Sequence, residues 1–401
     1  MSVDRAYNQA IQTGRYAKPS GLCGKYDNVR RFWEDEVTRA FCRPFLAALS
    51  RRRREDLRVC DLGCGSGDGW ELLTGPANPA AAPGGKQTGL LPAEKISAYH
   101  GIDRNELLLG QARELYGSNP KTAFIRGDFL EGLPVKEEPP YDLYLANYGT
   151  PSHCHDGQFI VLLAEIARHA RDGSLVVLDW LGAYSYEWQD LWEPEPVPDQ
   201  VINYLISYLG DDGKNVPAFP LRLMDQRTAR NLVEKAAWAA GATIKIHLFF
   251  DRSLFVGRHI ETGHYHPDPQ PLRQTVNSLF EQGQRTDLTR LVIRYHPRAG
   301  FGQLNDFFAG FVEKWNTLVN WTLACLTGKS GPLPETGAGF LRRAFQTMQL
   351  LCAGTLPLPL EDAPANIIEP QLAYLLRMLE MNCQQGIGTG HGLGAVLEIK
   401  K

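Results

Sequence analysis

Val59-Cys60-Asp61-Leu62-Gly63-Cys64-Gly65-Ser66-Gly67-Asp68-Gly69 is the stretch whose reading decides the fold. A short apolar run, Leu57 to Leu62, precedes three glycines at alternate positions, and a helix pattern begins near Trp70. Glycine has no Cβ, so such a turn takes up positive φ and lets the backbone come close to a ligand. The following helix N-terminus adds unpaired N–H groups that favour a polar ligand. A nicotinamide dinucleotide fingerprint requires G-x-G-x-x-G/A. Counting from Gly63 puts Asp68 at the last position and counting from Gly65 puts Trp70 there, both too large for close helix–strand packing.

Outward from this turn, strand-like and helix-like segments alternate. Strands are expected at Leu57 to Leu62, Ile96 to Ile102, Thr122 to Arg126, Tyr141 to Ala146, Ser174 to Leu178 and Thr243 to Phe250. Helices are expected at Trp70 to Leu73, Glu106 to Tyr116, Phe159 to Ala170 and Thr228 to Ala240. This rhythm predicts an α/β fold, a doubly wound and mostly parallel seven-stranded sheet with helices on both faces. For the seventh strand, Gly390 to Ile399 is preferred over Leu291 to Tyr295. Phe301 to Leu326, Gly339 to Cys352 and Glu369 to Cys383 carry helical apolar spacing and form a C-terminal helical segment. Residues 75–93 are rich in Gly, Pro and Ala and read as a surface insertion. The expected organisation is an N-terminal helical cap (1–55), a nucleotide-binding-like domain (56–265), and a helical insertion or lid with a closing strand (266–401).

Asp61, Gly63, Gly65 and Gly67 make a complete D-x-G-x-G-x-G pattern. It resembles the first motif of the class I, Rossmann-like S-adenosylmethionine-dependent methyltransferase superfamily. The likeness spans about residues 25 to 255 and has companions. Asp103 ends the second strand, where the superfamily places the acid that takes the ribose hydroxyls. A carboxylate has the acceptor capacity for both. Asp128 and Phe129 follow the third strand, where the superfamily contacts adenine, and Asn147 ends the fourth. The resemblance therefore implies S-adenosyl-L-methionine as cofactor, held by Asp61, Gly63, Cys64, Gly65, Gly67, Asp103, Arg104, Asp128, Phe129 and Asn147, with Tyr26 closing over it. Asp61 is read as ordering the glycine turn through backbone N–H groups. Asp103 with Glu106 three residues on also reads as a capping box. The N/D-P-P-Y/F motif of amino-directed DNA methyltransferases is replaced by Asn147-Tyr148-Gly149-Thr150.

The implied reaction is in-line methyl transfer to a small-molecule acceptor, with His153 or His155 as a base; either imidazole titrates near neutrality. A metal site at His153, Cys154, His155 and Asp156 is disfavoured, since adjacent ligands without a second cluster rarely make one. Tyr148, Ser152, Tyr184, Tyr186, Glu187 and Trp188 are expected to line the acceptor pocket, and His259 and His264 are further candidates. The alternatives are a non-catalytic cofactor-binding module that acts through its helical segment, and another transferase on the same fold, such as one moving an aminopropyl group. The net charge of -3 and the missing motif argue against nucleic acid as partner. No apolar run is long enough to cross a membrane, no signal core opens the chain, and the eight cysteines contain no C-x-x-C pair. These readings place the chain in the cytoplasm with reduced thiols; a homodimer stays open.

Overall fold

The computed structural model describes residues 3–16, 24–53, 55–75, 89–206, 218–258, 265, 272–335 and 339–401. Five parallel strands, β1 (Leu57–Leu62), β2 (Ile96–Asp103), β3 (Thr122–Arg126), β4 (Leu143–Ala146) and β5 (Leu175–Gly182), lie in the order β3-β2-β1-β4-β5. Of two later strands, β8 (Thr243–Arg252) pairs with β9 (Gly392–Lys400), which runs antiparallel between β5 and β8. The closing strand is thus the C-terminal one. Leu288–Leu291, at the start of the competing segment, is a 3₁₀ turn.

Alternation along each strand explains the layers. Leu57, Val59, Leu143, Leu145, Leu175 and Val177 face helices α2 (Asp35–Arg52), α3 (Asp68–Thr74) and α4 (Glu106–Tyr116). Cys60, Leu62, Tyr144, Val176 and Leu178 face the opposite side, covered by α5 (Asp156–His169) and α6 (Gln226–Ala240). Successive strand side chains point to opposite faces, so a sheet covered on both sides needs apolar residues at both parities. The strand order reverses between β1 and β4, and at such a switch the loops diverge and leave a crevice.

Two elements were not expected. A hairpin, β6 (Val201–Leu205) and β7 (Ala218–Met224), joins the sheet only where Leu181 and Gly182 pair with Leu223 and Met224. It therefore stands over the carboxyl end of β5. Helix α1 (Val3–Gln12) also lies at this end: Asn105 donates to Asn8 at 2.9 Å, and the Tyr7 hydroxyl lies 3.4 Å from His153.

The helical segment, α7 (Leu272–Ser278), α8 (Gly302–Leu326), α9 (Gly339–Thr355) and α10 (Glu369–Cys383), shares one apolar core with Trp33, Val37, Phe250, Leu254 and Phe255. Trp33 packs on Trp315 with ring centroids 6.0 Å apart. Glu380 on α10 is fully buried and accepts from the Ser253 and Leu254 amides and from the Trp33 indole. Burial pushes its carboxyl up to about 7. The divisions read at 55/56 and 265/266 both run through this shared core. Among the described residues, no helix is long and apolar enough to cross a membrane.

Candidate active site

The glycine turn at the carboxyl end of β1 is left-handed at Gly63, Gly65 and Gly67, with φ of +64°, +54° and +85°. A Cβ on Gly67 would meet the Tyr116 ring at 2.7 Å, so that position is closed by packing. A Cβ on Gly65 would meet first the Lys25 ammonium at 3.1 Å, the tip of a flexible side chain, so that position faces the crevice. Asp61 lies beneath the turn, accepting from the Tyr99 hydroxyl and the Gly69 amide. Burial pushes it up to about 7. It shapes the turn from behind. Cys64 is buried; its amide donates to the Ile102 carbonyl, which ties the turn to β2.

Asp103 ends β2 and accepts from the Gly65 amide at 3.0 Å and the Asn105 amide at 2.8 Å. Its two oxygens keep further lone pairs for a ligand. The capping box read at Asp103 and Glu106 is not formed. Asn105 is the N-cap of α4, accepting from the Leu107 and Leu108 amides. The chain bends at Arg104 after β2, and Asn105, still extended, opens the helix. Asp128 caps its own short turn through the Leu130 amide, and the exposed Arg104 lies 3.5 Å from it. Phe129 belongs to the core under β1 and β4. Tyr26 is buried and donates to Asp68, at the start of α3.

At the end of β4, Asn147 is 4% exposed, yet neither its amide oxygen nor its amide nitrogen has a protein partner. Buried polar atoms are almost always paired. Such an orphan at the crevice fits a ligand with a polar end. Tyr148 follows with φ of +60°, a costly conformation for a side chain this large. Its amide donates to Asp179, its hydroxyl to Asp35 at 3.0 Å, and the Arg30 guanidinium stacks 3.2 Å from its ring centre. Strain held in place by three contacts is common at functional sites.

Beside it opens a cavity of about 90 Å³. Its lining holds the rings of Tyr7, Tyr16, Tyr148, His153, Tyr204 and Phe219. It also holds the charged groups of Lys25, Arg30, Glu34, Arg252 and Arg258, with His391 beside them. His153 stacks on Phe219, and burial pushes its imidazole down to about 4. His391 Nδ1 lies 2.6 Å from Glu187, whose carboxylate is fully buried behind it.

The other acceptor-side candidates lie apart from this wall. His155 is exposed at the N-cap of α5, because the turn Thr150–His153 aims consecutive side chains differently. Ser152 accepts the Leu181 amide and ties this turn to β5. Tyr186 and Trp188 are 3% and 0% exposed and belong to two cores, and Tyr184 packs at the margin of one of them. After Gly182, the backbone is drawn into 3₁₀ turns that bury these rings. His259 and His264 lie outside the described residues. Among those described, no group of three His, Cys, Asp or Glu side chains is arranged to hold a metal ion.

The sequence reading missed Lys25, Arg30, Glu34, Arg252, Arg258 and His391 on the wall. Two signals were present: Arg252 directly ends β8, and His391 sits in a glycine-rich run just before β9.

No known protein family matches the chain, and no curated protein matches it. Solved structures do. A methyltransferase of Clostridium acetobutylicum, described as S-adenosylmethionine-dependent, is 13% identical over 61% of this chain and 90% of its own, with a TM-score of 0.37. The CcbJ methyltransferase of Streptomyces caelestis is 16% identical over 62% and 90%, at 0.38. The magnesium protoporphyrin IX methyltransferase of Synechocystis, solved with bound S-adenosylhomocysteine, is 14% identical over 62% and 91%, at 0.35. Likeness this distant carries neither activity nor substrate over to this chain.

Proposed function

We propose that the chain binds S-adenosylmethionine and transfers its methyl group to a small-molecule acceptor. One observation carries the reading: the Gly65 amide donates to the Asp103 carboxylate at 3.0 Å. That bond joins the glycine turn of β1 and the acid of β2 into one cradle at the switch in strand order. When bound, the cofactor supplies a methyl group already activated on a sulfonium: the acceptor lone pair forms the new bond, the carbon–sulfur bond breaks, and sulfur keeps the pair as a thioether.

The residues divide the rest of the work. Asp103 takes the ribose hydroxyls, and Gly65 lets the backbone approach. Asp128 receives the adenine amino group at the mouth. The unpaired Asn147 amide serves the amino-acid end. Asp61 and Tyr26 act one step back, holding the turn and Asp68 in place. Catalysis then rests mainly on alignment of nucleophile, methyl carbon and sulfur. His153 faces the cavity as a neutral imidazole able to take an acceptor proton, and its low basicity keeps that contribution small.

Calorimetric titration of S-adenosylhomocysteine tests the reading. Wild type binds, and Asp103→Ala binds about tenfold to a hundredfold more weakly, the weight of hydrogen bonds to a charged group. Equal affinity in the variant overturns the ribose role; no binding to wild type overturns the cofactor.

A further inference from the structure

The geometry points to a small aromatic carboxylate as the acceptor bound in the cavity beside β4 and β5. This inference rests on the preceding one, which makes the cavity the acceptor site. Among the described residues, the lining carries four cationic side chains, Lys25, Arg30, Arg252 and Arg258, against one carboxylate, Glu34. Their counter-ions stand behind the wall. Lys25 pairs with Asp68 at 2.6 Å, Arg30 with Asp35 at 2.8 Å, and Arg252 with Asp179. None of these three acids lines the cavity. Arg258 bonds the Gly24 and Lys25 carbonyls and lies 4.0 Å from Asp27. Glu34 is itself held between Arg273, at 2.7 Å, and Arg252.

Cations in front and acids behind make a positive inner face even though the network as a whole is near balance. An anion entering the cavity meets the cations at contact distance and the acids a layer further away. These cationic side chains are 13% exposed or less, so that difference in distance is weakly screened. Arg252 supplies the second, independent observation. Its side chain is 4% exposed, and its Nε–H has no hydrogen-bond partner. The unpaired Nε–H suits one carboxylate oxygen, since the Nη groups already face Glu34 and Asp179.

The aromatic part of the lining calls for a ring. His153 lies nearly parallel to Phe219, at 17° and 5.8 Å between centroids, and Tyr204 sits 6.0 Å from Phe219. Aromatic rings and cationic side chains lining one cavity fit a molecule with an aromatic body and a carboxylate at one end.

The test uses the full chain, with and without saturating S-adenosylhomocysteine. 4-Hydroxybenzoate, 4-hydroxyphenylacetate and indole-3-acetate are titrated beside their primary amides, which keep shape and lose charge. At least one carboxylate binds about tenfold or more tightly than its amide, the weight of a charge-assisted hydrogen bond. Amides binding as well as the acids, or neither class binding at millimolar concentration, overturns the proposal. A carboxylate preference in a protein that does not bind S-adenosylhomocysteine keeps the anion site and discards the cofactor, so the two failures are separable. Arg252→Lys keeps the positive charge and loses the Nε donor, and it lowers carboxylate affinity about tenfold with amide affinity unmoved. An equal loss for both probes marks Arg252 as structural only and removes it from the site.

Discussion

The glycine cradle and the cavity wall lie side by side, but they are built in different ways. The cradle comes from eleven consecutive residues and one acid on the neighbouring strand, and its contacts are largely backbone. The wall gathers Lys25, Arg30, Arg252, Arg258 and His391 from widely separated parts of the chain, and its contacts are side chains. A backbone device needs particular residue types at fixed spacing. A side-chain wall needs only that the fold bring its members together. The first therefore leaves a pattern in sequence and the second does not.

The wall stands only if the helical segment is part of the same folding unit, and this gives the largest expected effect. Trp315→Ala removes the ring packed on Trp33 at the foot of the segment that carries Arg30. It lowers unfolding free energy by about 3–5 kcal/mol, the usual cost of emptying an aromatic site. Denaturant unfolding followed by fluorescence and by circular dichroism shows one coincident transition; two separate transitions would make 266–401 an independent domain.

The cradle breaks at a single atom. Gly67→Val puts a branched side chain at φ +85° against Tyr116 and costs about 2–4 kcal/mol in the same measurement, strain and overcrowding adding. It also abolishes S-adenosylhomocysteine binding. A folded Gly67→Val protein with normal affinity would remove the turn from the site.

The aromatic wall is sharpened by pH. Burial holds the His153 pKa at about 4, below its ordinary value of about 6.5. A depressed folded-state value means that the unfolded chain binds the proton first. The stability tied to the neutral ring is complete above pH about 6.5 and drains away as pH falls toward 4. Between pH 7 and 5 wild type loses about 1–2 kcal/mol more than His153→Gln, read from urea unfolding at both values. Equal losses would place His153 in solvent.

The smallest effect separates the two histidines. His155 is exposed at the cap of α5, so His155→Ala changes stability by less than about 1 kcal/mol and leaves S-adenosylhomocysteine affinity unchanged. A lost affinity would return His155 to the site.

The sequence was legible where residue type answers a local physical demand. Short apolar runs gave β1 to β5, β8 and β9, because a strand covered on both faces must be apolar at both parities. The hairpin β6–β7 escaped, since Asn203, Tyr204, Pro220 and Arg222 interrupt its pattern and it meets the sheet along only two residues. The aromatic run 180–192 misled. Large apolar side chains serve a core as readily as a pocket, and only the 3₁₀ turns after Gly182 settle which way each ring points.

By itself the sequence determined the doubly wound sheet, its C-terminal closing strand, the glycine turn and the acid that ends β2. Each is set by spacing along a few residues, through strand parity, positive φ and the reach of one hydrogen bond. Tertiary structure decided which histidine faces the cavity, which acids stand behind which cations, and that the helical segment shares a core with the sheet. These depend on packing among residues tens to hundreds of positions apart, where charge and burial are properties of the assembled neighbourhood and of no single stretch of chain.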